Sequence, residues 1–306
     1  MTIAYLGPSG TFAETAARHM AGGEPLLDLP DVAEVLRAVG DGRADRGVVP
    51  IENTLEGPVS TTLDALAFDV DLLIQGELEL AIHFVLGTRP DVALDDVKVV
   101  RSHQVALAAC GRWLSANLPH AERVAATSTA KAAELVAASD GAEAAIANQL
   151  AAERCGLTIV ARGIADREGN VTRFVVVGHH LPPPTGWDKT SLVVFIEENR
   201  PGALLKLLEI FAERDLNLTK IESRPTKAEL GEYCFFADVE GHLSDERVGD
   251  ALAAVKRTHR EVKILGSYRR SGARQTEEAE RIAADDAAYR AASQWLEEWR
   301  SRVKRT

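Results

Sequence analysis

Cysteine is scarce in this chain of 306 residues: Cys110, Cys155 and Cys234 are odd in number and widely spaced. With no CxxC pair they give no disulfide framework and no cysteine zinc site, so a reducing, cytoplasmic setting is expected. Long apolar runs are missing as well, so no transmembrane helix is expected. The first residues, Met1-Thr2-Ile3-Ala4-Tyr5, enter a strand pattern directly, without the basic and apolar regions of a secretory leader. Positive charge is in deficit. The net charge of −11 argues against a general binder of nucleic acid or anionic membrane. An anionic small molecule would therefore need a locally basic pocket. There is no Walker A loop, no GxGxxG, no metal-ligand spacing and no internal repeat. What remains is ordinary: 46% apolar and 26% charged residues, and length enough for two domains with full cores.

Strand-like and helix-like segments alternate through the first 180 residues. Ile3–Leu6 reads as a strand, Thr11–Met20 and Val32–Val39 as helices, Gly47–Ile51 as a strand and Ser60–Phe68 as a helix. Then come a strand at Val97–Arg101, helices at Gln104–Ala116 and Thr129–Ala138, a strand at Ala144–Ala147 and a helix at Gln149–Cys155. Such alternation predicts an α/β fold with largely parallel strands. Gly76–Gly87 alternates and then turns apolar, as a strand passing from one lobe to a second would. The return through Thr172-Arg173-Phe174 completes two crossings, which leave a cleft between lobes. Leu181–Gly186, with three consecutive prolines, is a linker. Beyond it the pattern is βαββαβ, a ferredoxin-like arrangement: strands Thr190–Glu197, Asn217–Ser223, Tyr233–Val239 and Val262–Tyr268, helices Gly202–Arg214 and Glu246–Thr258. Glu277–Arg302 fits one charged helix with a thin apolar stripe.

The chemistry-bearing residues gather at predicted strand ends, where open α/β sheets bind ligands. Gly169-Asn170-Val171-Thr172-Arg173-Phe174 places a hydroxyl donor, a guanidinium fork and an aromatic ring side by side, a set suited to a small anion that gains or loses a proton. As plain structure it is a loop-to-strand junction with a surface Arg and a core Phe. Ser9, Gly10 and Thr11 occupy the turn into the first helix, where free backbone N–H groups face an anion. Glu52 and Asn53 leave a strand; Asn53 donates and accepts without adding charge. Ser102-His103, Ser128 within Thr127-Ser128-Thr129, and Asn148 recur at strand-to-helix junctions, where each reads equally as a helix cap. His103 has no Asp or Cys at a spacing that would make a hydrolytic triad.

Together these segments resemble the prephenate dehydratase family. The resemblance rests on Gly7-Pro8-Ser9-Gly10-Thr11-Phe12, Pro50-Ile51-Glu52-Asn53, Ser102-His103, Thr127-Ser128-Thr129, Ala147-Asn148 and Thr172-Arg173-Phe174. It continues into an ACT domain through Arg200-Pro201-Gly202-Ala203-Leu204 and Ile221-Glu222-Ser223-Arg224-Pro225. One departure is that Ser102-His103-Gln104-Val105 stands where the family often has Ser-His-Pro-Gln. The resemblance implies a two-lobed catalytic domain like type II periplasmic binding proteins at 1–180, with its second lobe about 80–158. A linker at 181–188, a ferredoxin-like ACT domain at 189–268 and a helical tail at 269–306 follow. It implies loss of CO2 and water from prephenate to give phenylpyruvate, driven by aromatisation, with no cofactor and no metal. Thr172 takes the role of the catalytic hydroxyl, Arg173 that of carboxylate clamp, and Phe174 shapes a dry pocket. Substrate contacts are expected from Ser9, Gly10, Thr11, Glu52, Asn53, Ser102, Ser128 and Asn148. Phenylalanine is the implied effector, bound by Asn199, Gly202, Ala203, Leu204, Glu222, Ser223 and Arg224 of a homo-dimer or homo-tetramer. Neither nucleic acid nor membrane is an expected partner. Two alternatives share these features: an arogenate dehydratase, and a non-catalytic two-lobed binding protein.

Overall fold

The computed structural model describes residues 1–196, 200–227, 229, 231–272 and 276–303. The chain divides into two compact units, Met1–Ala65 with Leu78–Gly178, and Leu66–Glu77 with His179–Thr306.

The first unit has two lobes. In chain order, the first lobe comprises β1 (Ile3–Leu6), α1 (Phe12–Ala21), β2 (Leu26–Leu29), α2 (Val32–Gly40), β3 (Arg46–Asn53), β4 (Gly57–Pro58) and α3 (Ser60–Asp64). The chain leaves by β5 (Leu73–Ala81) for β6 (Val85–Thr88), β7 (Val99–Ser102), α4 (Gln104–Ala109), α5 (Gly111–Asn117), β8 (Glu122–Ala125), α6 (Thr129–Ala138), β9 (Glu143–Ala147), α7 (Gln149–Arg154) and β10 (Thr158–Arg162), and returns by β11 (Val171–Gly178). In the first lobe β11 lies beside β3, followed by β1 and β2; the second-lobe sheet runs β10-β6-β9-β7-β8. Each sheet has a parallel trio, β2-β1-β3 or β8-β7-β9, extended by antiparallel strands. The sheets are thus mixed, because each strand that passes between lobes runs against the trio it joins. Ile3, Tyr5, Val48, Phe174 and Val176 pack against α1 in the first-lobe core; Leu86, Val100, Leu107, Leu114 and Ile146 fill the second. At about 0.8 kcal/mol per buried CH₂, these apolar faces are what hold each lobe together.

Helix starts follow their caps. Thr11 Oγ1 accepts the Glu14 N–H at 3.3 Å while the Glu14 carboxylate reaches back to the Gly10 N–H at 2.6 Å, a reciprocal cap. Gln104–Ala116, continuous by periodicity, is broken at Cys110 into α4 and α5. The break has a long-range cause. The Asp166 carboxylate accepts the N–H groups of Arg112 and Trp113 at 2.8 and 3.0 Å, and the Asp166 N–H donates to the Ala109 carbonyl at 2.7 Å. A residue from the second crossing thus ends one helix and caps the next.

The second unit carries β12 (Asp188–Phe195), α8 (Ala203–Ala212), β13 (Leu218–Pro225), β14 (Tyr233–Glu240), α9 (Glu246–Thr258), β15 (Glu261–Arg269) and α10 (Thr276–Ser301). Its antiparallel strands run β13-β14-β12-β15, the βαββαβ arrangement. Residues 66–77, which the sequence places with the first lobe, pack in this unit. Lys263 Nζ donates to the Ala67 and Val70 carbonyls, and Lys189 pairs with the buried Glu77 at 3.1 Å. The tail helix α10 lies on α9, where buried Arg247 pairs with Asp285 at 2.8 Å.

Candidate active site

The two crossings between lobes build the site. Ile82–Phe84 links β5 to β6, residues 163–170 link β10 to β11, and the Ile82 N–H donates to the Asn170 carbonyl at 2.8 Å. In front of them lies a cavity of about 760 Å³, an ordinary size for a small-molecule site. Asn53, at the end of β3, stands in register with Thr172 at the start of β11. The Asn53 Oδ1 accepts the N–H groups of Leu55 and Glu56 at 2.9 and 3.0 Å, which fixes which way the amide faces. Its Nδ2 therefore donates its two hydrogens, one of them shared, to Thr172 Oγ1 at 2.9 Å, Asn170 Oδ1 at 2.8 Å and the Val171 carbonyl at 3.2 Å. Because Thr172 Oγ1 accepts this bond, its own O–H is left to donate into the cavity, and polarisation along the chain strengthens that donor.

The walls are of two kinds. Phe12, Ile82, Phe84, Ala106 and Ala109 form an apolar side, with the Phe12 and Phe84 rings edge to face at 5.8 Å. Asn53, Thr172, Asn170, His103, Arg112, Arg167, Glu56 and Asp166 form a polar side. Burial pushes the Asp166 carboxyl up. The two backbone N–H groups and the Arg112 charge outweigh that push and hold it below the usual carboxylate range. Cys110, buried behind this loop, is pushed up to about 12 by burial and by the Asp166 charge. It is an inert thiol at neutral pH.

Of the residues singled out from sequence, the cavity brings together Asn53, His103 and Thr172. Arg173, the next residue on β11, is buried outside the cavity lining, its Nη1 3.6 Å from Glu52, its register partner. Successive strand residues face opposite ways, so a hydroxyl in the cleft sends its neighbour elsewhere. Phe174 follows a bulge and is buried in the first-lobe core. Ser102 is fully buried, and its hydroxyl donates to the Ile146 carbonyl at 2.6 Å. Thr11 and Ser128 act as N-caps, as does Asn148, which also joins the lobes by donating to the Gly10 carbonyl at 2.8 Å. Gly10 has φ +88° and lies in that bridge; Ser9 bonds the Tyr5 hydroxyl at 3.1 Å. The neighbours Phe12 and Thr129 line the cavity instead. Asp166, Arg112 and Arg167 had no local signal, since Arg112 and Asp166 meet across 54 positions.

In the second unit, Gly202 caps α8 at φ +84°, and Ala203 and Leu204 form its first turn. Glu222, Ser223 and Arg224 lie on β13, where Arg224 donates to Glu222 at 3.1 Å. Asn199 lies outside the described residues.

Residues 3–181 match the family model described as prephenate dehydratase, and residues 190–257 match that of the ACT domain. The chain belongs to the prephenate dehydratase family. A prephenate dehydratase from Mycolicibacterium gilvum is 46% identical over 281 residues, covering 87% of this chain and 90% of that one. A solved prephenate dehydratase from Arthrobacter aurescens, in complex with L-Phe, is 41% identical, with a TM-score of 0.87 over 98% of this chain and 100% of that one. A second solved structure, GqqA, described as a novel type of quorum quenching acylase, is 32% identical, with a TM-score of 0.81 over 89% and 98% of the two chains. The mixed α/β fold, an ACT domain behind a prephenate dehydratase domain, is shared with this family. No described helix is long and apolar enough to cross a membrane.

Proposed function

We propose that this protein is a prephenate dehydratase, a carbon–oxygen lyase of phenylalanine biosynthesis that phenylalanine regulates. The observation that carries the reading is the Thr172 hydroxyl, oriented by the Asn53 amide at the mouth of the cavity. In the reaction the bond from the ring to its carboxylate breaks, releasing CO2. That electron pair completes the aromatic ring and expels the 4-hydroxyl, which takes up one proton and leaves as water. Thr172 donates a hydrogen bond to the departing oxygen. A threonine hydroxyl is a weak acid, so it works by position and electrostatics, and solvent supplies the net proton. The electron count closes without a redox partner.

The acylase description of one relative does not transfer readily. Amide hydrolysis needs an activated nucleophile, and among the described residues no hydroxyl is hydrogen-bonded to His103, the only histidine lining the cavity. Arogenate, the amino analogue, would enter the same cavity. The test is turnover by purified, chelator-treated protein of prephenate and arogenate in parallel. Phenylpyruvate from prephenate, with arogenate the poorer substrate, is expected; inactivity on prephenate would overturn the reading.

We assign the dehydratase domain to 1–180, the linker to 181–188, the ACT domain to 189–268 and the tail to 269–306, in a cytoplasmic homo-oligomer. The support for an oligomer is β13, an edge strand whose Ile221 is exposed; its unpaired backbone edge calls for cover. Phenylalanine is expected at the start of α8. A Cβ at Gly202 would meet nothing within 4 Å, so Gly202→Val acts through the left-handed backbone it disfavours. Calorimetry should show phenylalanine binding lost in this variant; equal heats from variant and wild type would rule the site out.

A further inference from the structure

The substrate of a dehydratase of this kind carries, on one ring carbon, a carboxylate and a side chain that ends in a second carboxylate, with the departing hydroxyl on the carbon opposite. The donor to the hydroxyl and any cation for a carboxylate must therefore stand about a ring's length apart. Arg173 does not meet that need, being buried off the cavity beside Glu52. Arg112 lines the cavity, but its guanidinium donates to the Asp166 carbonyl and lies 3.7 Å from the Asp166 carboxylate. Arg167 is different. It lines the same cavity, is exposed, and makes no hydrogen bond or ion pair among the described residues. Its backbone is well placed for a binding role. On one side it adjoins Asp166, pinned to the start of α5; on the other, Gly169 at φ +77° turns the chain toward Thr172.

We infer, on the dehydratase reading above, that Arg167 binds the substrate's side-chain carboxylate, while the ring carboxylate lodges against the apolar wall of Phe12, Ile82 and Phe84. The chemistry favours this division. The ring carboxylate loses its charge as CO2 departs, so a cation there would stabilise the ground state more than the transition state and slow the reaction. An apolar wall has the opposite effect. The side-chain carboxylate persists through substrate, transition state and product. A guanidinium on it binds all three alike, which lowers KM and leaves kcat alone.

The test is steady-state kinetics of Arg167→Gln and Arg167→Lys, with phenylpyruvate as product inhibitor. One charge-assisted hydrogen bond lost corresponds to roughly ten- to hundredfold in affinity. For Arg167→Gln, KM for prephenate and Ki for phenylpyruvate should rise together by that factor, with kcat within about twofold of wild type. Lys, which keeps the charge and loses the fork, should fall between. Since Arg167 is exposed, the melting temperature should not move, and a melt confirms that the variant is folded. Unchanged KM, an unmoved Ki, or a fall in kcat alone, in folded protein, would overturn the assignment to Arg167. A wild type that makes no phenylpyruvate would instead defeat the dehydratase reading, so the two failures are distinct.

Discussion

Replacing Asn53 by Asp keeps the side chain's shape and reverses one half of its hydrogen bonding. The oxygen that accepts from the Leu55 and Glu56 N–H groups remains, so the β3–β4 turn should hold. The opposite atom changes from a donor to an acceptor. It then faces three acceptors that Asn53 now satisfies: Asn170 Oδ1, the Val171 carbonyl and Thr172 Oγ1. Thr172 can answer only by turning its O–H onto the new carboxylate, away from the cavity. The reaction loses its aimed donor, worth about 3 kcal/mol, or roughly 10²–10³ in kcat. The added negative charge also opposes a dianionic substrate, raising KM. Stability should fall by only about 1 kcal/mol, because Asn53 is half-buried and water reaches part of what is left unpaired. The assay is phenylpyruvate formation under saturating prephenate beside a thermal melt. An Asn53→Asp enzyme that melts like wild type and keeps kcat within threefold would refute the claim that this amide orients the catalytic hydroxyl.

Arg173→Ala should act on stability, with a lower urea midpoint corresponding to about 2 kcal/mol, a figure discounted because the Glu52 side chain is 39% exposed. A folded variant with unchanged midpoint and a much raised KM would return Arg173 to the role of clamp. For Asp166 the folded carboxyl lies below its ordinary range. Its contribution to stability is therefore present above the unfolded value and lost as pH falls through the folded one. Asp166→Asn should be less stable at neutral pH and lose less on acidification; parallel acid denaturation curves would contradict the pinning of this loop to α5.

The sequence is legible where local physics decides. Helix α6 begins and ends where its cap and periodicity place it, and α9 spans the expected Glu246–Thr258. Of the strands that pattern does not announce, β2, β8 and β10 lie at sheet edges. Glu122–Ala125 is largely exposed, so no apolar alternation marks it, and only its partner β7 defines it. The break at Cys110 is equally invisible, because Asp166, which causes it, is far along the chain. At the site, Thr172 and Asn53 stood out by residue type. The facing of Arg173 and the presence of Arg167 depend on strand alternation and loop path, which type alone does not carry. The hydroxyls and amides at strand ends read as a set in the sequence, yet Thr11, Ser128 and Asn148 are committed to helix caps.

The central claim, that the Thr172 hydroxyl assists departure of the ring hydroxyl, is tested most directly by comparing kcat for Thr172→Val and Thr172→Ser. Valine keeps the shape and removes the donor; serine keeps the donor. The account predicts a fall of roughly 10²–10³ in kcat for valine and a serine enzyme far closer to wild type. A valine variant, folded and turning over prephenate at the wild-type rate, would contradict it.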